Sequence, residues 1–226
     1  MNMRYADAHL HLTDPASEGV DCDAELAFSC TASPAEWDVL ADMHDDRIVR
    51  FYGTHPWYAG KTDLKGLEDI LESESKACVG EIGLDSKRGP LDEQIEPFKA
   101  QLALSKRYDR VANIHMIGCE SEMLRIIREN RCTCILHSFS GPESYIRPFA
   151  ECGCYFSISP RILSRSREKI AALLTSIPED RLLIETDAPN NRFGMKEHIS
   201  KLSEIMSIDS DELIRITLKN ARSLIP

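Results

Sequence analysis

No stretch of this sequence approaches the ~20 consecutive apolar residues that a membrane helix requires, which argues against a membrane-spanning segment. The N-terminal MNMRYADAHLHL lacks a basic start followed by an apolar run and a small-residue cleavage site, so a cytoplasmic protein is expected. The eight cysteines contain no CxxC pair. In a reducing compartment that argues against both a disulfide framework and the commonest zinc motifs. Cys132 and Cys134 alternate along a predicted strand, as do Cys152 and Cys154 near another, as small buried hydrophobes would. Positive charge is also short: 27 Lys and Arg stand against 37 Asp and Glu, a net charge of −10. That balance disfavours broad electrostatic capture of nucleic acid but leaves a phosphodiester substrate open, because bound divalent cations supply positive charge locally. Aromatic residues make up only 7% and do not interleave with basic ones, which disfavours a binding platform for single strands without chemistry. No linker, low-complexity segment or charge block divides the chain, so one domain over 1–226 is expected. A domain of this size buries ~70% of its unfolded surface and needs no covalent staples.

Against these absences stands a regular alternation. Short β-prone runs fall near 4–9, 25–30, 47–53, 76–81, 110–115, 132–137, 154–158 and 181–186, with helical spacing between them. Ile95, Phe98 and Leu102 share one helical stripe, and Leu213, Ile216, Asn220 and Leu224 share another behind a capping Asp209. Alternating strands and helices with short connections predict parallel strands. Eight such units predict an α/β fold, a single (β/α)8 TIM-type barrel.

The polar residues then take on a pattern. His9, His11, His55, His115 and His137 lie at or just beyond the C-terminal ends of predicted strands, while His44 and His198 lie in polar helical stretches. Glu81 ends the fourth strand in VGEIGLD, and Asp187 follows the eighth in LLIETDAP. Barrels of this kind assemble their sites from the ends of different strands at one face. Residues i and i+2 of a strand share a side, so His9 and His11 can reach a single ion. A lone strand-end histidine or carboxylate is ordinarily structural; ligand-type residues recurring at several strand ends point to one metal centre, and imidazole with carboxylate suits divalent transition metals.

The ordered motifs DAHLHL, GTHPWY, VGEIGLD, QIEPFKAQLALSKR, NIHM, LHSFSG, LLIETDAP and TLKNARSL resemble the TatD family of metal-dependent hydrolases over nearly the whole chain. The resemblance implies an amidohydrolase-like barrel that cleaves phosphodiesters, as a DNA exonuclease does, through a metal-activated water. It implies two divalent ions (zinc, manganese or magnesium), with His9, His11 and Asp187 on one, His115 and His137 on the other, and Glu81 between them. Asp187 and Glu81 are the expected catalytic groups. His55, Arg161 and Arg192 are the expected substrate contacts, and Trp57 and Tyr58 could stack on a base or close the rim. The sequence departs from the family after His115, where Met116-Ile117-Gly118 replaces an arginine-bearing stretch, and after Asp187, where the loop is shorter.

The nearest alternative is a hydrolase of the same metal-site type acting on a small ester, amide or phosphoester. Such relatives carry a carboxylated lysine between the ions, and no lysine ends a predicted strand here. A non-catalytic metal-binding barrel is more remote, since all six ligand types are present. The expected partner is a nucleic acid or small phosphodiester substrate; no membrane and no obligate protein partner are indicated.

Overall fold

A computed structural model describes residues 4–191 and 193–225. Eight parallel strands lie in chain order: β1 Tyr5–Leu10, β2 Ala24–Cys30, β3 Ile48–Tyr52, β4 Cys78–Asp85, β5 Ala112–Ile117, β6 Cys134–Leu136, β7 Cys154–Ile158 and β8 Leu182–Ile184. Between them run α1 Trp37–Ala41, α2 Leu64–Ser73, α3 Leu91–Arg107, α4 Glu120–Asn130, α5 Ile146–Ala150 and α6 Arg167–Ser176. Two helices, α7 Met195–Met206 and α8 Ser210–Arg222, follow the last strand. The expected TIM-type barrel is thus observed, with one irregularity: the β1–β2 connection carries no helix, and α8 packs against β1 and β8 instead.

The ends of the sheet meet at a seam. The Asp187 amide donates to the His9 carbonyl at 3.0 Å, and the His11 amide to the Ala188 carbonyl at 2.8 Å. The Asp7 carboxylate accepts from the Thr186 amide at 2.9 Å and from its hydroxyl at 2.5 Å. Asn220 on α8 donates to the carbonyls of Glu179 and Leu182 and ties that helix to the start of β8. Asp209 caps α8 by accepting from the Asp211 amide.

Alternation along the strands separates two apolar clusters. One contains Ala6 and Ala8, Phe28 and Cys30, and Val49 and Phe51, with the Phe28 and Phe51 rings 5.4 Å apart. The other takes the opposite positions, such as Leu136, Phe156 and Ile184, together with Phe98 and Leu102 of α3. Cys134 and Cys154, paired in register, belong to the second cluster, and all eight cysteines are free. Among the described residues no helix is long and apolar enough to cross a membrane.

Three local expectations need correction. β4 does not end at Glu81 but continues to Asp85, with a register shift between Val79 and Ile82 around the carboxylate. His44 is exposed in the loop after α1. His198 sits in α7 but is fully buried, with Nε2 donating to the Ile158 carbonyl at 2.8 Å and Nδ1 unpartnered, because it lies on the apolar stripe of that helix with Met195, Ile199 and Leu202.

Burial lowers the His198 pKa to about 4 from an unfolded value of 6.5. Its neutral form therefore stabilises the fold fully above pH 6.5, and this contribution is lost as the pH falls toward 4. Urea denaturation at pH 7 and pH 5 should show a loss on the order of 2 kcal/mol that a His198→Gln variant does not share. An equal loss in both proteins would remove His198 as its source.

Candidate metal centre

The C-terminal ends of β1, β4, β5, β6 and β8 bring six ligand-type residues to one place. His9 lies within β1 and His11 just beyond it; Glu81 and His115 lie within β4 and β5; His137 and Asp187 follow β6 and β8. Backbone geometry allows the close approach. Gly83 has φ +148°, and a Cβ there would stand 2.0 Å from the His115 carbonyl oxygen. The Glu81 amide donates to the Thr31 carbonyl at 2.9 Å, which fixes the strand where its register breaks.

Hydrogen-bond partners decide which ring nitrogens point inward. His9 Nδ1 lies 2.9 Å from Asn113 Oδ1, and Asn113 is itself oriented by its Nδ2 donating to the Ala8 carbonyl. His11 Nδ1 faces the Cys30 carbonyl at 3.1 Å. Both Nδ1 atoms are therefore donors in neutral rings, and both Nε2 lone pairs face inward. These two Nε2 atoms stand 3.1 Å apart, with Glu81 Oε2 at 3.5 and 3.3 Å from them.

The same pattern recurs at the other oxygen. His115 Nε2 faces Asp85 Oδ2 at 3.3 Å, which leaves Nδ1 directed at Glu81 Oε1, 2.8 Å away. His137 Nδ1 faces Glu185 Oε1 at 3.4 Å, and its Nε2 lies 2.9 Å from Glu81 Oε1 and 3.3 Å from His115 Nδ1. Two pairs of inward nitrogens thus converge, one pair on each oxygen of a single carboxylate. Protons or cations must lie among them. His9, His11 and Asp187 could hold one ion; Glu81 also clusters with His9 and His137 and with His55 and His115 in positions suited to another. A buried donor set of imidazole and carboxylate fits divalent metal.

Electrostatics follow the same logic. Burial would raise the Glu81 carboxyl, but the imidazoles of His137, His55 and His9 hold it well below the usual carboxylate range. Burial pushes His9 well below its ordinary value, and the neighbouring His137 adds to the shift. Burial would also lower His137, yet Glu81 and Glu185 lift it well above the usual imidazole range. His11 is raised against burial by its hydrogen bond to Glu81. Protons on His137 and His11 therefore occupy directions that a metal would take.

His55 is buried beside this centre, with Nε2 3.4 Å from Glu81 Oε1. Its Nδ1 accepts from the Trp57 amide at 3.2 Å, which puts the proton of the neutral ring on Nε2. His55 thus presents a donor to Glu81 and differs from the other four histidines. Arg161 reaches Asp187 Oδ2 with Nη2 at 3.1 Å. Arg192 lies outside the described residues. Trp57, 46% exposed, donates its indole N–H to Asp85 Oδ2 at 2.8 Å, and the Arg88 guanidinium lies over its ring at 3.9 Å. Trp57 is therefore part of the wall, with one face already covered.

Sequence reasoning missed Asn113, Asp85 and Glu185, the groups that hold the rings in place. A signal was available. Each is two or four residues from a ligand-type residue on the same strand or its extension: Asn113 before His115, Asp85 after Glu81, Glu185 before Asp187. The centre opens into a cavity of about 350 Å³ lined by His11, His55, Glu81, His115, His137 and Asp187. A larger cavity of about 530 Å³ beside the β1–β8 seam holds none of these residues, so volume alone does not locate the chemistry.

Residues 6–226 match the family described as TatD related DNase. The metal-dependent hydrolase YabD of Bacillus subtilis is 28% identical over 198 residues, covering 79% of this chain and 78% of that protein. A protein of Erwinia tasmaniensis named 3'-5' ssDNA/RNA exonuclease TatD is 28% identical over 210 residues, covering 82% and 81%. The crystal structure of YJJV, a TatD homologue from Escherichia coli, superposes with a TM-score of 0.85 at 24% identity, covering 100% of this chain and 99% of that one.

Asp85 accepts from both Trp57 and His115, so Asp85→Ala would leave the buried His115 N–H and the partly exposed Trp57 indole N–H without that partner. In EDTA, urea denaturation of this variant should show a loss of ~1–3 kcal/mol. Unchanged stability would mean that the shared acceptor is not formed.

Proposed function

Because this chain belongs to the TatD-related DNase family, a family of metal-dependent hydrolases, we propose that it is a divalent-metal-dependent phosphodiesterase that removes nucleotides from DNA in the manner of an exonuclease. Two ions, zinc, manganese or magnesium, are assigned to the centre: His9, His11 and Asp187 around one, His115 and His137 around the other, and Glu81 between them. One observation carries this reading. The two oxygens of one buried, ionised carboxylate each face a separate pair of inward imidazole nitrogens. In neutral rings the outer partners leave acceptors facing Glu81, so protons, as on His137 and His11, or cations must fill those directions.

When bound, such ions make hydroxide available near neutral pH and offset charge on a transferring phosphoryl group. The remaining work belongs to the protein. Asp187, whose Oδ1 accepts from Asn190 Nδ2 at 3.0 Å and whose Oδ2 pairs with Arg161, is assigned as acceptor of the attacking water's proton. His55 is assigned a hydrogen-bonding role toward substrate or leaving group through its Nε2 proton. Arg161 takes the phosphate contact that the arginine absent after His115 would have made; Arg192 is assigned to the same task. Asn113, the Cys30 carbonyl, Asp85 and Glu185 keep the four ligand rings in their inward tautomers. The nuclease named among the relatives supports nucleic acid as substrate. Met116 and Ile117 beside the centre are the observation that keeps a small ester or phosphoester as a second reading.

The test is hydrolysis by metal-reconstituted protein of single-stranded DNA, bis-nitrophenyl phosphate and nitrophenyl acetate, each with and without EDTA. EDTA-sensitive cleavage of the first two supports the proposal. Cleavage of the acetate alone would sink the phosphodiesterase and favour the second reading. Glu81→Ala should lose both ions by elemental analysis and with them all turnover. Asp187→Asn should keep most of its metal while kcat falls by ~10²-fold or more, the scale of a lost general base. Two ions retained in Glu81→Ala would overturn the bridging assignment.

A further inference from the structure

Beside the metal centre lies a second cavity of about 270 Å³, between the chain segments that follow β5, β6 and β7. His115, Ile117, His137 and Arg161 line both cavities and form the boundary between them. The second cavity is lined by four serines, Ser138, Ser140, Ser159 and Ser164, and by two arginines, Arg161 and Arg165. Among the described residues no carboxylate lines it. In a chain with 37 acidic and 27 basic residues, a polar recess that has arginine and no acid is a local reversal of charge. The cavity on the other side, toward Trp57 and Tyr58, includes Asp14 and Glu36.

The donors are held in place. Ser159 is buried at 2% exposure, and its Oγ lies 2.6 Å from Ser138 Oγ. Only one of these hydroxyls can donate to the other, so the second has a proton free for an acceptor in the cavity. The Arg165 guanidinium is anchored through Nη2 to the Ser140 carbonyl, which leaves its other N–H groups for a ligand. Arg161 is already paired with Asp187 at 3.1 Å, so the donors without a competing carboxylate are the Arg165 guanidinium and the serine hydroxyls, groups that recognise a phosphate.

We propose that this cavity is a subsite for a second phosphate of the substrate, next to the phosphodiester bond that is cut. The inference rests on the phosphodiesterase reading above and deepens it: the preferred substrate carries at least two phosphates, as an oligonucleotide does, and a lone diester leaves the subsite unused. The strand would run from this recess across the metal centre toward Trp57 and Tyr58.

Binding to EDTA-treated protein separates this inference from the hydrolytic one. The probes are the thymidine dinucleotide with its single diester and the same dinucleotide with an added monophosphate at its 5′ or its 3′ end, titrated by calorimetry. Wild type should bind one of the added-phosphate forms about tenfold more tightly than the bare dinucleotide, the scale of charge-assisted hydrogen bonds at a partly exposed site. R165Q and S159A should each reduce that ratio toward one, and the ratio should fall as salt is raised. With metal restored, the kcat/KM preference for the added-phosphate dinucleotide should shrink in the same two variants. No preference in wild type, or a preference kept in both variants, would overturn the subsite. Failure of wild type to hydrolyse any diester would count against the phosphodiesterase reading alone, because the binding ratio is measured without turnover.

Discussion

The structure depends on one buried carboxylate flanked by imidazole nitrogens, with protons or cations required between them. Glu81 is almost inaccessible to solvent and is held ionised. An isolated charge in such a place would cost several kcal/mol even after relaxation. What offsets this cost is spread around the barrel: His9 and His11 from the first strand, His115 from the fifth, His137 after the sixth, and the residues that hold their outer nitrogens. None of these partners is local in sequence. Asn113 holds His9 from 104 residues away, and Glu185 holds His137 from 48. The centre therefore forms only when the barrel has closed. The Asp7–Thr186 bonds and the backbone bonds between His9 and Asp187 that close it lie directly beside the ligands. Closure and site assembly are the same event at the β1–β8 seam.

This explains why the candidate ligands were legible in the sequence while their supports were not. A ligand announces itself by type and position: a histidine or carboxylate at the end of a β-prone run, recurring strand after strand. His9, His11, Glu81, His115, His137 and Asp187 carry that signature, and the fold does bring them together. Asn113, Asp85 and Glu185 are buried polar residues within or just after strands, and their meaning comes from a partner on another strand. The extension of β4 to Asp85 was hidden for a related reason. Gly83 and the charged Asp85 look like the start of a turn, yet Asp85 is buried, with its Oδ2 meeting both the Trp57 indole and His115. Periodicity reads one strand at a time; the register between strands is what makes Asp85 a strand residue.

Two of the three histidines outside the ligand set show the opposite effect. His198 was read as polar surface because its neighbours Lys196, Glu197 and Lys201 are charged. Its helical phase places it with Met195, Ile199 and Leu202, and the Ile158 carbonyl at the end of β7 supplies the one partner it needs. His55, expected as a substrate contact, caps a turn in the structure while facing the carboxylate. Its Nδ1 caps the turn that carries Trp57, and its Nε2 faces Glu81. A single ring thus links the rim of the cavity to the charge at its base.

Net charge and site charge answer different questions here. The body carries −10, so at distances beyond a Debye length of ~8 Å it repels a polyanion weakly or not at all in physiological salt. Long-range steering toward the mouth is therefore not available, and recognition must come from contact. Contact at the mouth is uneven. One side offers Trp57 and Tyr58 with acids behind them, and the other offers serine hydroxyls and two arginines. A polyanion approaching this face meets repulsion over most of the surface and donors in one recess next to the metal ligands. For the phosphodiesterase proposed above, that arrangement would disfavour binding along a duplex, which presents phosphates on both sides. It would suit an end or a single strand whose phosphates enter from one direction and whose bases leave on the other.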